Sequence, residues 1–114
     1  KSLDCVFCKI AAGEIPSKKA YEDDRILAFY DLDPQAPVHI LLIPKEHIES
    51  VADITEENSA IVAHIFAVAA KLAKELDLVQ GWRVVTNVGK DGGQTVMHMH
   101  FHLLGGRSMA WPPG

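Results

Sequence analysis

Apolar and polar positions along the chain resolve into five strand-like segments and one long helical one. Ala20–Glu22 and Ile26–Asp31 read as two strands joined by the polar turn Asp23-Asp24. Val38–Ile43 is a nearly continuous apolar run, which predicts a central strand ended by Pro44. Trp82–Val88 reads as a fourth strand. It leads through a Gly-rich turn, Gly89-Lys90-Asp91-Gly92-Gly93-Gln94, into a fifth strand, so that the last two form an antiparallel hairpin. The fifth strand is Met97-His98-Met99-His100-Phe101-His102-Leu103-Leu104, where apolar residues alternate with histidine without a break. Successive strand side chains point to opposite faces, which sends Met97, Met99, Phe101 and Leu103 to the core. His98, His100 and His102 then share the other face at intervals of roughly 6.5–7 Å.

Helical periodicity appears twice. Residues 5–12 predict a short helix closed by Gly13 and followed by Pro16. A long helix is predicted from an N-cap near Thr55, with Glu56 and Glu57 favourable to its dipole, to about Leu76. Ile61, Ile65, Val68, Leu72 and Leu76 form one stripe, and Val62, Ala63, Phe66, Ala67, Ala69 and Ala70 widen it beyond a single face. The width suggests a helix covered twice, by its own sheet and by a second copy of the chain. The plainer alternative is an Ala-rich helix of good intrinsic propensity. The tail from Gly105 to Gly114 is too rich in Gly and Pro for helix or central strand, and Trp111 within it calls for a packing partner.

Composition changes this picture little. The 114 residues make one domain, spanning 1–114, with 48% hydrophobic and 23% charged residues, as in ordinary globular proteins. A net charge of −4 argues against broad binding to nucleic acid or an anionic membrane, though a small phosphate-bearing ligand stays compatible with it. No apolar run reaches the ~20 residues of a membrane span and no signal peptide is read, so a cytoplasmic protein is expected.

Chemistry concentrates at the histidine strand. Three imidazoles in a row cannot all be core residues, because each carries two nitrogens that need partners when buried, and groups titrating near neutrality on a rigid element suit acid–base, nucleophilic or metal chemistry. Gly92, Gly93, Gln94 and Thr95 precede them, where backbone N–H groups and the Gln and Thr side chains could receive an anion. Together these features suggest a phosphoryl centre. Imidazole can attack phosphorus, and the middle histidine, His100, is best placed to do so. His102 could bind the phosphate or pass a proton to the leaving group. Separately, Cys5 and Cys8 form a Cys-x-x-Cys pair, which in a cytosolic chain suggests metal binding more than a structural disulfide. A redox motif would follow a strand, and none precedes this pair.

The segment His98-Met99-His100-Phe101-His102-Leu103-Leu104 resembles the His-φ-His-φ-His-φ-φ signature of the histidine-triad (HIT) superfamily of nucleotide hydrolases and transferases. Tyr21-Glu22-Asp23-Asp24, Asp33-Pro34-Gln35-Ala36-Pro37-Val38-His39, Ile43-Pro44-Lys45-Glu46-His47, Gly92-Gly93-Gln94-Thr95, Leu104-Gly105-Gly106-Arg107 and Trp111-Pro112-Pro113-Gly114 resemble its Hint branch. The resemblance covers essentially the whole chain. It implies an α+β, HIT-like fold with a five-stranded antiparallel sheet per subunit, one long helix and a short N-terminal helix, the sheet becoming ten-stranded across a homodimer.

It also implies a purine nucleoside phosphoramidase. Such an enzyme hydrolyses P–N bonds of adenosine or guanosine 5′-phosphoramidates, and aminoacyl-adenylates, through a covalent nucleotidyl-histidine. By position His100 is the nucleophile, supported by His102, His98 and His39. Asp31 would take the ribose, and Phe7, Phe29 and Leu32 would surround the purine. Asn87, Gly93, Gln94, Thr95 and His102 would meet the phosphate and leaving group, and Trp111 would reach the partner subunit's site. Dinucleoside-polyphosphate hydrolases of the superfamily often carry Gln near the triad's end, where this chain has Leu103-Leu104; that hydrolase, or a nucleotide-binding interaction protein with vestigial catalysis, is the alternative. Cys5, Cys8, His47 and His98 resemble a structural zinc site of some members, the alternative being two reduced thiols. No cofactor is implied for catalysis itself.

Overall fold

The computed structural model describes residues 4–114. Its elements run α1 (Val6–Ala11), β1 (Lys19–Glu22), β2 (Ile26–Tyr30), β3 (Val38–Pro44), α2 (Ala60–Glu75), β4 (Trp82–Val85), α3 (Gly89–Gly92) and β5 (Phe101–Gly105). The strands form one antiparallel sheet in the order β1-β2-β3-β5-β4. This is the expected α+β fold with its five-stranded sheet. Among the described residues no helix is long and apolar enough to cross a membrane.

The sheet is covered on both faces, which is why β2 and β3 read as continuous apolar runs rather than alternating ones. Ile26, Ala28, Ile40, Leu42, Phe101 and Leu103 pack with Ile65, Val68, Ala69 and Leu72 of α2. Leu27, Phe29, Leu41 and Ile43 point the other way, onto Cys5, Phe7 and Cys8 around α1. The odd-numbered positions of β3 continue this second face to His39, and the register Leu41↔His102 brings His102 onto it. The candidate chemistry therefore lies on the α1 face.

Several boundaries differ from expectation, each for a local reason. β5 begins at Phe101 instead of Met97, and Met97 is exposed rather than in the core. In the β3–β5 register Leu42 faces Phe101, so a longer ladder would set Met99 against Pro44, which has no N–H to donate. The backbone N–H of Met99 turns instead to the Ile48 carbonyl. β4 stops at Val85 because the Thr86 hydroxyl, in place of a ladder amide, donates to the His100 carbonyl at 2.8 Å. Helix α2 begins at Ala60 and not near Thr55. Asn58 Oδ1 accepts the Thr55 N–H at 2.6 Å and the Thr55 hydroxyl accepts the Glu57 N–H at 3.3 Å, a local turn that competes with helix. The Gly-rich turn contains a single helical turn, α3, closed by Gly93 at φ +82°.

Candidate active site

Three histidines follow one another along the bent approach to β5 and its start, and each has its tautomer set by its neighbours. His98 is fully buried and His100 is 5% exposed. His102 is only half-buried, so not all three are core residues, and the burial of the other two is tolerated because both nitrogens of His98 and Nδ1 of His100 find partners. His98 Nε2 donates to the Pro44 carbonyl at 2.8 Å, and His100 Nδ1 donates to the His98 carbonyl at 2.7 Å. A carbonyl can only accept, so His100 carries its proton on Nδ1 and keeps the Nε2 lone pair free. The Gln35 N–H donates to His39 Nδ1 at 3.0 Å, so His39 holds its own proton on Nε2. That nitrogen lies 2.9 Å from His102 Nδ1, which must accept, leaving His102 with an outward Nε2–H. The result is one lone pair (His100) beside one donor (His102), their ring centroids 5.1 Å apart.

Burial favours the neutral form of three of these rings, His102, His98 and His39. It pushes His102 down to about 4, helped by repulsion from His100 and His39 and opposed by Asp31. His98 is likewise brought to about 4, by burial first. His39 is lowered by burial, partly offset by Asp31 and Asp33. A neutral His102 can donate a hydrogen bond without competing as a cation.

His100 and His102 open onto a cleft of about 360 Å³ whose walls include Phe7, Phe29, Asp31, Leu32 and Thr95. Phe7 stands edge-on to both His100 and Phe29, with centroids at 5.1 and 5.6 Å. Asp31 is anchored at the rim by the Asp33 N–H, 2.7 Å from its Oδ1. The cleft is thus apolar at one end and polar at the other.

Behind the triad lies a second cluster. The ligand atoms of Cys5, Cys8, His47 and His98 all fall within 4.8 Å of one another. Cys5 Sγ is 3.2 Å and Cys8 Sγ 3.5 Å from His98 Nδ1, and Cys8 Sγ is 3.3 Å from His47 Nδ1. Tetrahedral Zn²⁺ with two thiolates and two imidazoles has ligand-to-ligand edges of roughly 3.6 Å, so the set fits that ion. The Pro44 carbonyl holds the far nitrogen of His98, as the outer shell of a metal-bound histidine does. Burial raises the pKa of the Cys5 thiol, a cost that a metal ion would reverse. His100 and His102 are not in this group. Asp31, His39 and His102 also converge within 4.8 Å, but there the two imidazoles already bond to each other.

Comparison with known proteins shows the family. The model of the HIT domain family matches residues 12–109. The chain belongs to the HIT family. An uncharacterized HIT-like protein of Synechococcus elongatus is 51% identical over 99% of both chains. A relative in Zea mays named 14 kDa zinc-binding protein is 49% identical, covering 96% of this chain and 87% of its own. Among solved structures, a HIT family hydrolase from Legionella pneumophila superposes with a TM-score of 0.95 at 53% identity, covering 97% of this chain and all of that one. The fold is therefore that of a HIT hydrolase, and the four-residue cluster is one that fits structural zinc.

Within this HIT protein the sequence-predicted residues are not equally placed. Leu32 lines the cleft but is fully exposed, at its mouth. Asn87 is half-buried, with its backbone packed against Gly92. Gln94 spends its carboxamide within the loop: Nε2 donates to the Glu49 and Val96 carbonyls at 2.8 and 3.0 Å, and Oε1 accepts from the Gly89 N–H at 3.0 Å. The Gly93 and Gln94 amides also turn inward, to the Lys90 and Gly89 carbonyls. That leaves the exposed Thr95 as the side-chain donor on this edge, against the expectation that Gln94 shares the task. Trp111 is 81% exposed in the single chain. Sequence reasoning missed Ile10 and Lys18 of the cleft wall, the latter with Nζ 4.9 Å from the Tyr30 ring centre. Neither carried a signal in the sequence, since Ile10 reads as an ordinary apolar residue of the short helix and Lys18 as a solvated charge before the first strand.

Proposed function

We propose that this HIT protein is a purine nucleoside phosphoramidase of the Hint branch, hydrolysing P–N bonds through a nucleotidyl-His100 intermediate. The observation that carries the reading is the His100 tautomer, fixed by the His98 carbonyl with Nε2 left free at the cleft. Nε2 attacks the α-phosphorus, and the P–N bond breaks with its electron pair going to the departing amine. That nitrogen takes up one proton from solvent by way of the Thr95 hydroxyl. The positive charge left on the His100 ring is stabilised by the carbonyl accepting from Nδ1–H. His102 Nε2–H hydrogen-bonds a phosphoryl oxygen as charge builds there. Water then attacks phosphorus from the opposite side and gives up one proton to solvent, the His100–P bond breaks with its electron pair returning to Nε2, and nucleoside monophosphate leaves. Phe7, Phe29 and Leu32 would contact the purine and Asp31 the ribose hydroxyls. Leu103-Leu104 and the Trp-Pro-Pro-Gly tail favour this branch over dinucleoside-polyphosphate hydrolysis.

Two further expectations belong to the reading. One is a homodimer in which Trp111 approaches the neighbouring site. The other is the cytoplasm, whose reducing conditions suit two free thiols. Single turnover with adenosine 5′-phosphoramidate, followed by mass spectrometry, should place an AMP adduct on His100. His100→Ala should lower kcat at least about 10³-fold and leave the AMP Kd nearly unchanged. Full activity in that variant refutes the nucleophile. Binding without an adduct in the native chain favours the vestigial interaction protein.

A further inference from the structure

One short segment serves both clusters. Cys5 and Cys8 contribute two of the four converging metal-ligand atoms, and Phe7 between them walls the cleft. Cys5 caps α1, its Sγ accepting the Cys8 N–H at 3.2 Å, so Phe7 has its backbone inside the turn that carries both thiols. Its ring is 7% exposed, packed edge-on to His100 at 5.1 Å and to His98 at 6.1 Å. A helix of six residues has too few hydrogen bonds to hold its own shape, so its position depends on what anchors it. A second link runs through His98. Its Nδ1 faces the two thiols, while its carbonyl holds His100 Nδ1.

We propose that metal binding at Cys5, Cys8, His47 and His98 and purine nucleotide binding in the cleft are positively coupled, with Phe7 as the positioning residue between them. The inference rests on the nucleotide reading above and adds a linkage to it. A tethered Cys5–Cys8 turn holds the Phe7 ring against His100, which a nucleotide otherwise has to order at its own expense. Coupling between sites is reciprocal, so nucleotide must tighten metal by the same factor. A metal that acts as a staple alone would raise stability by mass action yet leave the nucleotide affinity of the folded chain unchanged.

The test uses AMP as the nucleotide and Co²⁺ as a spectroscopic substitute for zinc, at one pH. AMP affinity is measured by calorimetry on metal-free and Zn²⁺-loaded protein, with circular dichroism confirming that both are folded. Co²⁺ is titrated by its thiolate charge-transfer band with and without saturating AMP. AMP should bind about tenfold tighter to the loaded form, and Co²⁺ about tenfold tighter with AMP present. Phe7→Leu, which keeps an apolar side chain there, should retain the Co²⁺ spectrum and cut the factor below about threefold. Equal AMP affinity in the two forms overturns the coupling while leaving the nucleotide reading standing. Undiminished coupling in Phe7→Leu overturns the role of Phe7, as does a linkage that merely follows unfolding of the metal-free chain. A chain that binds AMP in neither form removes the nucleotide reading and the coupling with it.

Discussion

At the scale of single residues, the histidines differ by what their ring nitrogens touch. The alternation in Met97–Leu104 marked which residues matter, although only His102 of the three lies in the strand itself and His98 and His100 stand on the bent approach to it. It was silent on tautomers, since the Pro44 and His98 carbonyls and the Gln35 amide that fix them come from elsewhere in the fold. His102 offers the sharpest check. Its folded pKa lies near 4, from burial first and then from His100 and His39, whereas an unfolded imidazole titrates near 6.5. Between those values the unfolded chain binds more protons, so stability is complete above about 6.5 and declines as pH falls toward 4. For this half-buried ring the loss by pH 4.5 is about 2 kcal/mol. Urea unfolding at pH 7.5 and 4.5 should therefore show a shallower pH dependence in His102→Asn than in the native chain. Parallel dependences would mean that His102 is not desolvated.

At the scale of elements, periodicity located every strand and both main helices but erred wherever a side chain replaced a backbone partner. The Thr86 hydroxyl ends β4, Asn58 delays α2, and Pro44 cannot extend the ladder that β5 was expected to start at Met97. The loop before the triad shows the same thing. Gly92-Gly93-Gln94 looked like a set of anion donors, yet the Gln94 carboxamide ties Gly89, Glu49 and Val96 together and so places Thr95 at the cleft. Gln94→Leu would remove three part-buried hydrogen bonds from the loop, a cost of about 1–3 kcal/mol. The expected result is a lower urea midpoint, together with faster hydrogen exchange at the Gly89 amide. An unchanged exchange rate there would show that the loop holds its shape without the carboxamide.

At the scale of the whole molecule, the single chain leaves apolar surface that its own core does not use. Ile65, Val68, Ala69 and Leu72 of α2 are buried, while Ala63, Phe66, Ala67 and Ala70 on the adjoining face are exposed. Trp82 on the edge strand β4 is 41% exposed and Trp111 81%. A two-fold partner would cover the helix face, close the β4 edge and give Trp111 something to pack on, which is how the five strands would become ten. In an isolated chain Ala67→Glu places a charge on an exposed helix position, where substitutions usually stay within about 0.5 kcal/mol. In a two-fold interface the same change buries two unpaired carboxylates, one from each copy, and should split the dimer. Sedimentation velocity should thus show a native dimer and an Ala67→Glu monomer with native circular dichroism. Trp111→Ala should keep the dimer but weaken hydrolysis, because its indole would act on the neighbouring cleft. A native monomer, or a dimer indifferent to Ala67→Glu, would assign this helix face to something other than a second copy of the chain.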